Sequence, residues 1–333
     1  MVAQIDKVYR GFGLGTTAVR ALSYLAFEGR PITARGRWIN SLVIGWLGVI
    51  ARLGPRASDL NPVFIVGTGR SGTSILGTTL SIHRNVGFLN EPKALWHVAC
   101  PFEDIIGNYS QHPGRYILRE KEATAEIAER FRRLYGAYLA ISSRECLVDK
   151  YPEVLFRWSF ILSIFPGARF IWLVRNGNDT IASIAAWSKK FSRQSKLGKE
   201  DWWGLNERKW KALSDQVVPV IPDLAERTAE LAKFDRQEDR AAVEWVASAN
   251  FGISLEQSHP GSVLRVGFEH LMQEPEAVLT TILRFCELEQ DTRVLDFARA
   301  KFQKLHSYES QVISDQIRSA FQKSMIQLNY SAC

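Results

Sequence analysis

Pro62-Val-Phe-Ile-Val-Gly-Thr-Gly-Arg-Ser-Gly-Thr-Ser74 runs from a short apolar strand, through a glycine turn, into a helix-compatible stretch that reaches Leu80. Backbone N–H groups of such a loop converge on one concavity, and the helix N-terminus behind them adds positive potential. Phosphate binds in that setting. Glycines at 67, 69 and 72 let the chain turn without a Cβ clash. The loop is not the nucleoside-triphosphate loop G-x-x-x-x-G-K-S/T, because Thr73 stands where that pattern needs lysine. Its basic group is Arg70, inside the turn.

Outward from this loop the chain reads as α/β. Apolar runs recur at Val86–Leu89, Leu147–Val148, Phe170–Val174 and Val263–Val266. Helical patterns lie between them at Ala123–Ile141, Pro152–Phe165, Asp179–Trp187 and Ala241–Glu256. Strands alternating with helices predict a central parallel sheet flanked by helices on both faces. Residues 188–238, polar and lysine-rich with Trp202, Trp203 and Trp210, read as an insertion over one edge of the site.

The chain has 333 residues and a net charge of +7. Residues 1–58 hold eight Lys and Arg against Asp6 and Glu28, a surplus of six, so the rest is near neutral. A near-neutral body with a basic head is not the profile of a nucleic-acid binder. Scattered Cys100, Cys146, Cys286 and Cys333 without a C-x-x-C pair fit a reduced, cytoplasmic chain, and the histidines form no metal motif. Within the head, Ala18–Phe27 reads as a short helix, and Trp38–Ala51 is free of charge for fourteen residues, short of the ~20 a bilayer span needs. Two readings of this appendage, residues 1–60, stay open: a helical pair packed on the main domain, or a segment lying on an anionic membrane surface, with the flanking arginines contributing.

A second stretch matches the first in kind. In Arg169-Phe-Ile-Trp-Leu-Val-Arg-Asn-Gly-Asn-Asp-Thr-Ile-Ala-Ser183 an apolar strand ends at Arg175 and a helix carries Ser183. That places both at the sheet edge where α/β folds bind ligands. Asp179 is read as a helix-start residue. The two stretches together resemble the sulfotransferases that use 3′-phosphoadenosine 5′-phosphosulfate (PAPS), in the branch whose loop reads G-x-x-R-S-G-T-S/T. Val148-Asp-Lys-Tyr-Pro152 resembles that family's K-x-P segment. Val263-Leu-Arg-Val-Gly-Phe-Glu-His-Leu271 resembles its late strand and turn, with Phe268 and His270 in place of the usual Tyr and Asp. The resemblance covers residues 62–188 and 241–287.

What the resemblance implies is specific. Residues 61–333 form a sulfotransferase domain with a P-loop-like fold. Arg70, Ser71, Gly72, Thr73 and Ser74 hold the 5′-phosphosulfate, and Arg175 with Ser183 holds the 3′-phosphate. The product is adenosine 3′,5′-bisphosphate. Arg70 stands where many relatives carry lysine and offers bidentate contacts to phosphate. No metal is required, because Arg and Lys neutralise the leaving bisphosphate. Sulfuryl transfer also needs a base near an in-line acceptor. Glu91, at the end of Val86-Gly-Phe-Leu-Asn-Glu-Pro92, is the expected base, with His83 and His97 as rivals. Lys150 is expected to reach the bridging oxygen. The acceptor is a small alcohol, glycan or lipid carrying a hydroxyl or amine, and Trp96, Trp202, Trp203 and Trp210 are candidates to stack on it. The tail after Tyr308 should close on the nucleotide. The alternatives are a P-loop small-molecule kinase and a non-catalytic nucleotide-binding relative.

Overall fold

The computed structural model of the chain describes residues 4–29, 37–57, 59–195, 198–302 and 310–331. Five parallel strands form the central sheet: β1 (Val63–Gly67), β2 (Val86–Asn90), β3 (Cys146–Lys150), β4 (Arg169–Val174) and, late in the chain, β8 (Val263–Gly267). Their spatial order is β2-β3-β1-β4-β8. Strand β1 lies at the centre, with Val63 opposite Val148 on one side and Arg169 on the other. The chain runs outward first to the β2 side and then to the β8 side, so the order reverses between β1 and β4. A crevice opens at the carboxyl ends of the strands at such a reversal.

Strand β1 is apolar at every position because both of its faces are covered. Phe64 and Val66 face a core that includes Trp96, Phe131 and Trp172. Val63 and Ile65 face the opposite core, with Leu76, Leu279 and Ile282. The helix Ala125–Ser142 shows why these layers form. Thr124 caps its first turn by accepting from the Ile127 N–H, and Ile127, Phe131, Leu134 and Tyr138 recur on its buried stripe. Ser143 then ends it in the left-handed conformation at φ 52°.

Several expected boundaries shift. The Pro152–Phe165 pattern divides into a 3-10 turn, Pro152–Arg157, and a helix, Trp158–Ile164. The expected Asp179–Trp187 helix runs Gly177–Phe191, with Asn176 as its cap and Asp179 in its first turn as expected. Residues 188–238 hold a small antiparallel sheet that alternation in the sequence did not reveal: β5 (Arg193–Ser195), β6 (Gly198–Asp201) and β7 (Gly204–Leu205). These strands are too short to show a period, and Gly198 and Gly204 turn the chain at φ 128° and 78°.

The head lies over the β2 edge. It comprises helix Leu14–Leu22, a π-helical segment Ser23–Glu28 and helix Asn40–Leu53. Arg20 and Glu28 form a buried bidentate pair at 2.5 and 2.7 Å, and Glu28 also accepts the Asn90 N–H at 2.8 Å. A buried pair of this kind is tolerated because both partners stay hydrogen-bonded. Phe27, Val43, Leu47 and Ile50 enter the main core. In this way the head covers an edge strand, and its end, at residues 54–57, lies against helix Ala125–Ser142.

Candidate active site

The phosphate loop is shaped by close approaches that only glycine allows. A Cβ on Gly67, at φ 141°, would sit 2.3 Å from the Leu173 carbonyl oxygen; one on Gly72, at φ 95°, would sit 2.3 Å from the Phe268 ring. Gly72 is the N-cap of helix Thr73–Leu80, so the first-turn N–H groups of that helix open into the crevice. Arg70 also takes a left-handed conformation, φ 72°, uncommon for a residue with a side chain. The Ser71 hydroxyl is turned into the loop and donates to the Thr68 carbonyl at 2.6 Å. A serine near a tight turn satisfies local backbone first.

Arg175 leaves the end of β4 and meets this loop. One Nη donates to the Arg70 carbonyl at 3.3 Å and the other pairs with Asp179 at 3.4 Å, while the guanidinium lies 4.9 Å over the Phe268 ring. Its buried Nε has no hydrogen-bond partner. Ser183 is joined to the first loop instead of opening into the crevice: its hydroxyl accepts from Arg70 Nε at 3.1 Å. The late strand braces both loops. Phe268 fills the space between Gly72 and Arg175, and Glu269 accepts the Asn176 N–H at 2.9 Å and the Tyr330 hydroxyl at 2.7 Å.

Glu91 follows β2, Lys150 ends the neighbouring β3, and the two side chains pair at 2.6 Å. Lys93 lies 3.8 Å from the other Glu91 oxygen. Glu91 sits at φ 48°, and its N–H donates to the Lys150 carbonyl at 2.7 Å, which fixes this strained position. Burial alone would raise the Glu91 pKa. The charges of Lys150 and Lys93, with the Lys150 hydrogen bond, outweigh burial and hold it at about 2. Lys150 is almost wholly buried, whereas the Glu91 side chain keeps 36% of its surface open to the crevice.

Arg70, Gly72, Thr73, Ser74, Glu91, Lys150 and Arg175 therefore line one cleft of about 480 Å³. Ser71 and Ser183 are not among its lining residues. The opposite wall was recognised only in part in the sequence, where Trp202 was a candidate but Lys209 and Glu153 were not. Trp202 lies close enough to the loop that a Cβ on Gly69 would be 2.5 Å from its indole. Trp187 meets Trp202 edge to face, and Lys209 sits 4.6 Å over the Trp202 ring. Lys209 is buried between Glu244 at 2.6 Å and Glu153 at 3.4 Å. No local spacing links positions 153, 209 and 244; only the tertiary fold assembles them.

The remaining candidates fall elsewhere. His83 is buried, with Nε2 3.0 Å from the Glu289 carbonyl oxygen and Nδ1 accepting from the Asn85 N–H. His97 stacks on Tyr109. Neither histidine lines the cleft. Trp96, Trp203 and Trp210 are core residues, so Trp202 alone of the four expected tryptophans faces the site. The nucleotide-closing loop expected after Tyr308 begins outside the described residues. Gln311, the second described residue beyond that gap, donates its N–H to the Asn178 side chain at 3.0 Å. Among the described residues no group of three or more His, Cys, Asp or Glu is placed to hold a metal ion.

The sulfotransferase STF9 from Mycobacterium avium superimposes with a TM-score of 0.51 at 12% identity, over 99% of this chain and 89% of that one. A sulfotransferase domain from the curacin biosynthetic pathway aligns with a TM-score of 0.49 and 16% identity, over 83% of this chain and 99% of that domain. A curated protein of Aquifex aeolicus, described only as uncharacterized, is 25% identical over 266 residues. That match takes in 76% of this chain, which spans only 29% of the relative's length. A sequence model of the sulfotransferase family matches residues 62–292, from the first strand to the start of helix Thr292–Lys301. The chain belongs to the sulfotransferase family.

Proposed function

We propose that this chain transfers a sulfuryl group from PAPS to the hydroxyl or amine of an acceptor, with Glu91 as general base. The observation that carries the reading is the Glu91–Lys150 pair standing in the same cleft as Arg70 and Arg175. The residues fit a bisphosphorylated nucleotide. The buried Arg175 Nε lacks a partner, which an anion would supply, and the first turn of helix Thr73–Leu80 adds N–H groups on the same cleft.

When bound, the donor supplies a sulfuryl group already attached to a good leaving group, the 5′-phosphate. Glu91 takes the acceptor's proton as the acceptor oxygen or nitrogen forms its bond to sulfur. The bond from sulfur to the bridging oxygen breaks, and its electron pair stays on the phosphate, where Lys150 and Arg70 hold the developing charge. Lys150 then has two roles that exclude each other. Paired with Glu91 it keeps the carboxylate ionised but weakly basic. Turned to the bridging oxygen it leaves Glu91 with less counter-charge, and burial then raises the basicity of the carboxylate at the moment a base is needed.

A thermal-shift titration tests the cofactor. Adenosine 3′,5′-bisphosphate at one-hundredfold over its dissociation constant should stabilise the fold by about 2.7 kcal/mol, a rise of several degrees, whereas ATP with Mg²⁺ should do little. A larger rise with ATP that EDTA abolishes supports a kinase and overturns the proposal. Labelled PAPS incubated with lipid, carbohydrate and small-alcohol pools identifies the acceptor.

A further inference from the structure

The helix Asn40–Leu53 is apolar on two sides. Val43, Leu47 and Ile50 point into the core. On the outer side Leu42, Trp46, Val49 and Leu53 follow one another at helical spacing and are 67, 46, 54 and 81% exposed, with Trp38 just before the helix at 77%. Together these side chains leave roughly 600 Å² of apolar surface in contact with water, as large as the largest patch an ordinary monomer shows.

Within the stripe's own segment the charges have one sign. Residues 38–57 contain no Asp or Glu, and Arg52 and Arg56 stand at its carboxyl end. Arg56 is paired at 3.2 Å with Glu129, but that carboxylate is shared with Arg133 at 2.9 Å, so the group stays net positive. Arg20 and Glu28 neutralise each other inside the head, which leaves the segment's surplus of six positive charges to its other residues. No described helix is long and apolar enough to cross a membrane. An apolar stripe that carries tryptophans and is flanked in its own segment by arginines without acids is the pattern of a helix that lies in a lipid headgroup layer.

We infer that the outer face of helix Asn40–Leu53 docks this protein on an anionic lipid bilayer. A second copy of the chain fits less well. A two-fold interface sets a patch against itself, and residues 38–57 of a second copy would offer no acid to meet Arg52 and Arg56. Docking also orients the enzyme. Asn40, at the start of the helix, and Ala94 both crowd Gly29, and Ala94 adjoins Lys93 of the cleft wall. The lipid-facing helix therefore begins beside the active-site cleft.

Co-sedimentation of the full chain with mixed phosphatidylserine–phosphatidylcholine vesicles and with pure phosphatidylcholine vesicles tests this. Binding to the anionic vesicles should exceed binding to the neutral ones and fall as salt rises. Leu42→Glu with Leu53→Glu should weaken it on the order of tenfold or more. Arg52→Gln, which disturbs no packing, should weaken it about fivefold. The adenosine 3′,5′-bisphosphate thermal shift should be the same in all variants, which separates failure of docking from failure of the proposed activity. Equal partitioning of wild type and both variants overturns the inference. So does a wild-type dimer in solution that Leu42→Glu dissociates, since a second copy then covers the stripe.

Discussion

Glu91 and Lys150 are joined twice: the Glu91 N–H donates to the Lys150 carbonyl at 2.7 Å, and the Lys150 ammonium donates to Glu91 Oε1 at 2.6 Å. The main-chain bond ties the end of β2 to the end of β3 and holds Glu91 in its left-handed conformation. The side-chain bond is the part that chemistry can break. Glu91→Gln keeps the size and the acceptor for Lys150 but cannot take a proton. Release of adenosine 3′,5′-bisphosphate from PAPS in the presence of acceptor should fall on the order of 10²–10⁴-fold, with affinity for the bisphosphate little changed. Replacing His83 or His97 should cost far less. Near-full turnover in Glu91→Gln removes Glu91 from the base role.

The same pair has a pH signature. The Glu91 pKa, about 2, lies below its ordinary 4.5, so the pair stabilises the fold fully above about pH 4.5 and loses that contribution as pH falls through about 2. Free wild-type enzyme should therefore show no acidic limb of kcat/KM from Glu91 at ordinary pH. Lys150→Met removes the strongest opposing charge, burial then dominates, and an acidic limb should move up toward neutrality in the residual activity. An unchanged profile shows that Lys150 does not control the carboxylate.

Arg175→Ala should weaken adenosine 3′,5′-bisphosphate by about 1.5–3 kcal/mol, the scale of a hydrogen bond to a charged group. Adenosine 5′-phosphosulfate, which lacks the 3′-phosphate, should lose much less. Calorimetric titration of both nucleotides checks this, and equal losses make Arg175 a structural residue.

Two glycines should respond in opposite directions. Gly72→Ala forces a side chain into a left-handed position and drives the Phe268 ring out from between Gly72 and Arg175; a loss above about 1 kcal/mol is expected, together with weaker bisphosphate binding. Gly45→Ala, inside helix Asn40–Leu53 with nothing within 4 Å of the new Cβ, should stabilise by about 0.5–1 kcal/mol. Urea unfolding of both variants decides.

Asp149 gives a second pH test, of opposite sign. Burial raises its carboxyl to about 7 although the Tyr135 hydroxyl and the Trp96 indole both donate to it. The folded state therefore keeps a proton that the unfolded chain has lost, and stability falls as pH rises from about 4 to about 7. Glu103, also raised to about 7 by burial, acts in the same direction. Asp149→Asn should flatten the fall by up to about 1.4 kcal/mol per pH unit within that window, read from urea unfolding at stepped pH. An unchanged slope shows that Asp149 is ionised in the fold.

Much of this molecule is local and could be read in one dimension. A run such as Pro62–Ser74 carries its own turn chemistry, because which backbone angles a glycine or a capping residue can adopt depends on that residue and its neighbours. The alternation of apolar runs with helical patterns, and the expectation of a parallel sheet, follow for the same reason. Arg70, Glu91, Lys150 and Arg175 were nameable from the family resemblance, and each sits at or shortly after the end of a strand, where parallel strands deliver their ends to one side of the sheet. Across the cleft Trp202 was nameable, but its partners Lys209, Glu153 and Glu244 were not. Trp202, Lys209, Glu153 and Glu244 come from separate elements, and burial plus ion pairing, not sequence spacing, brings them together. Tertiary context also decided where hydroxyls turn: Ser71 toward its own loop, Ser183 toward Arg70. It likewise decided that helix Asn40–Leu53 buries one apolar face and leaves the other open. A hydrophobic residue records that it avoids water, but which of two apolar faces finds the core depends on the rest of the fold.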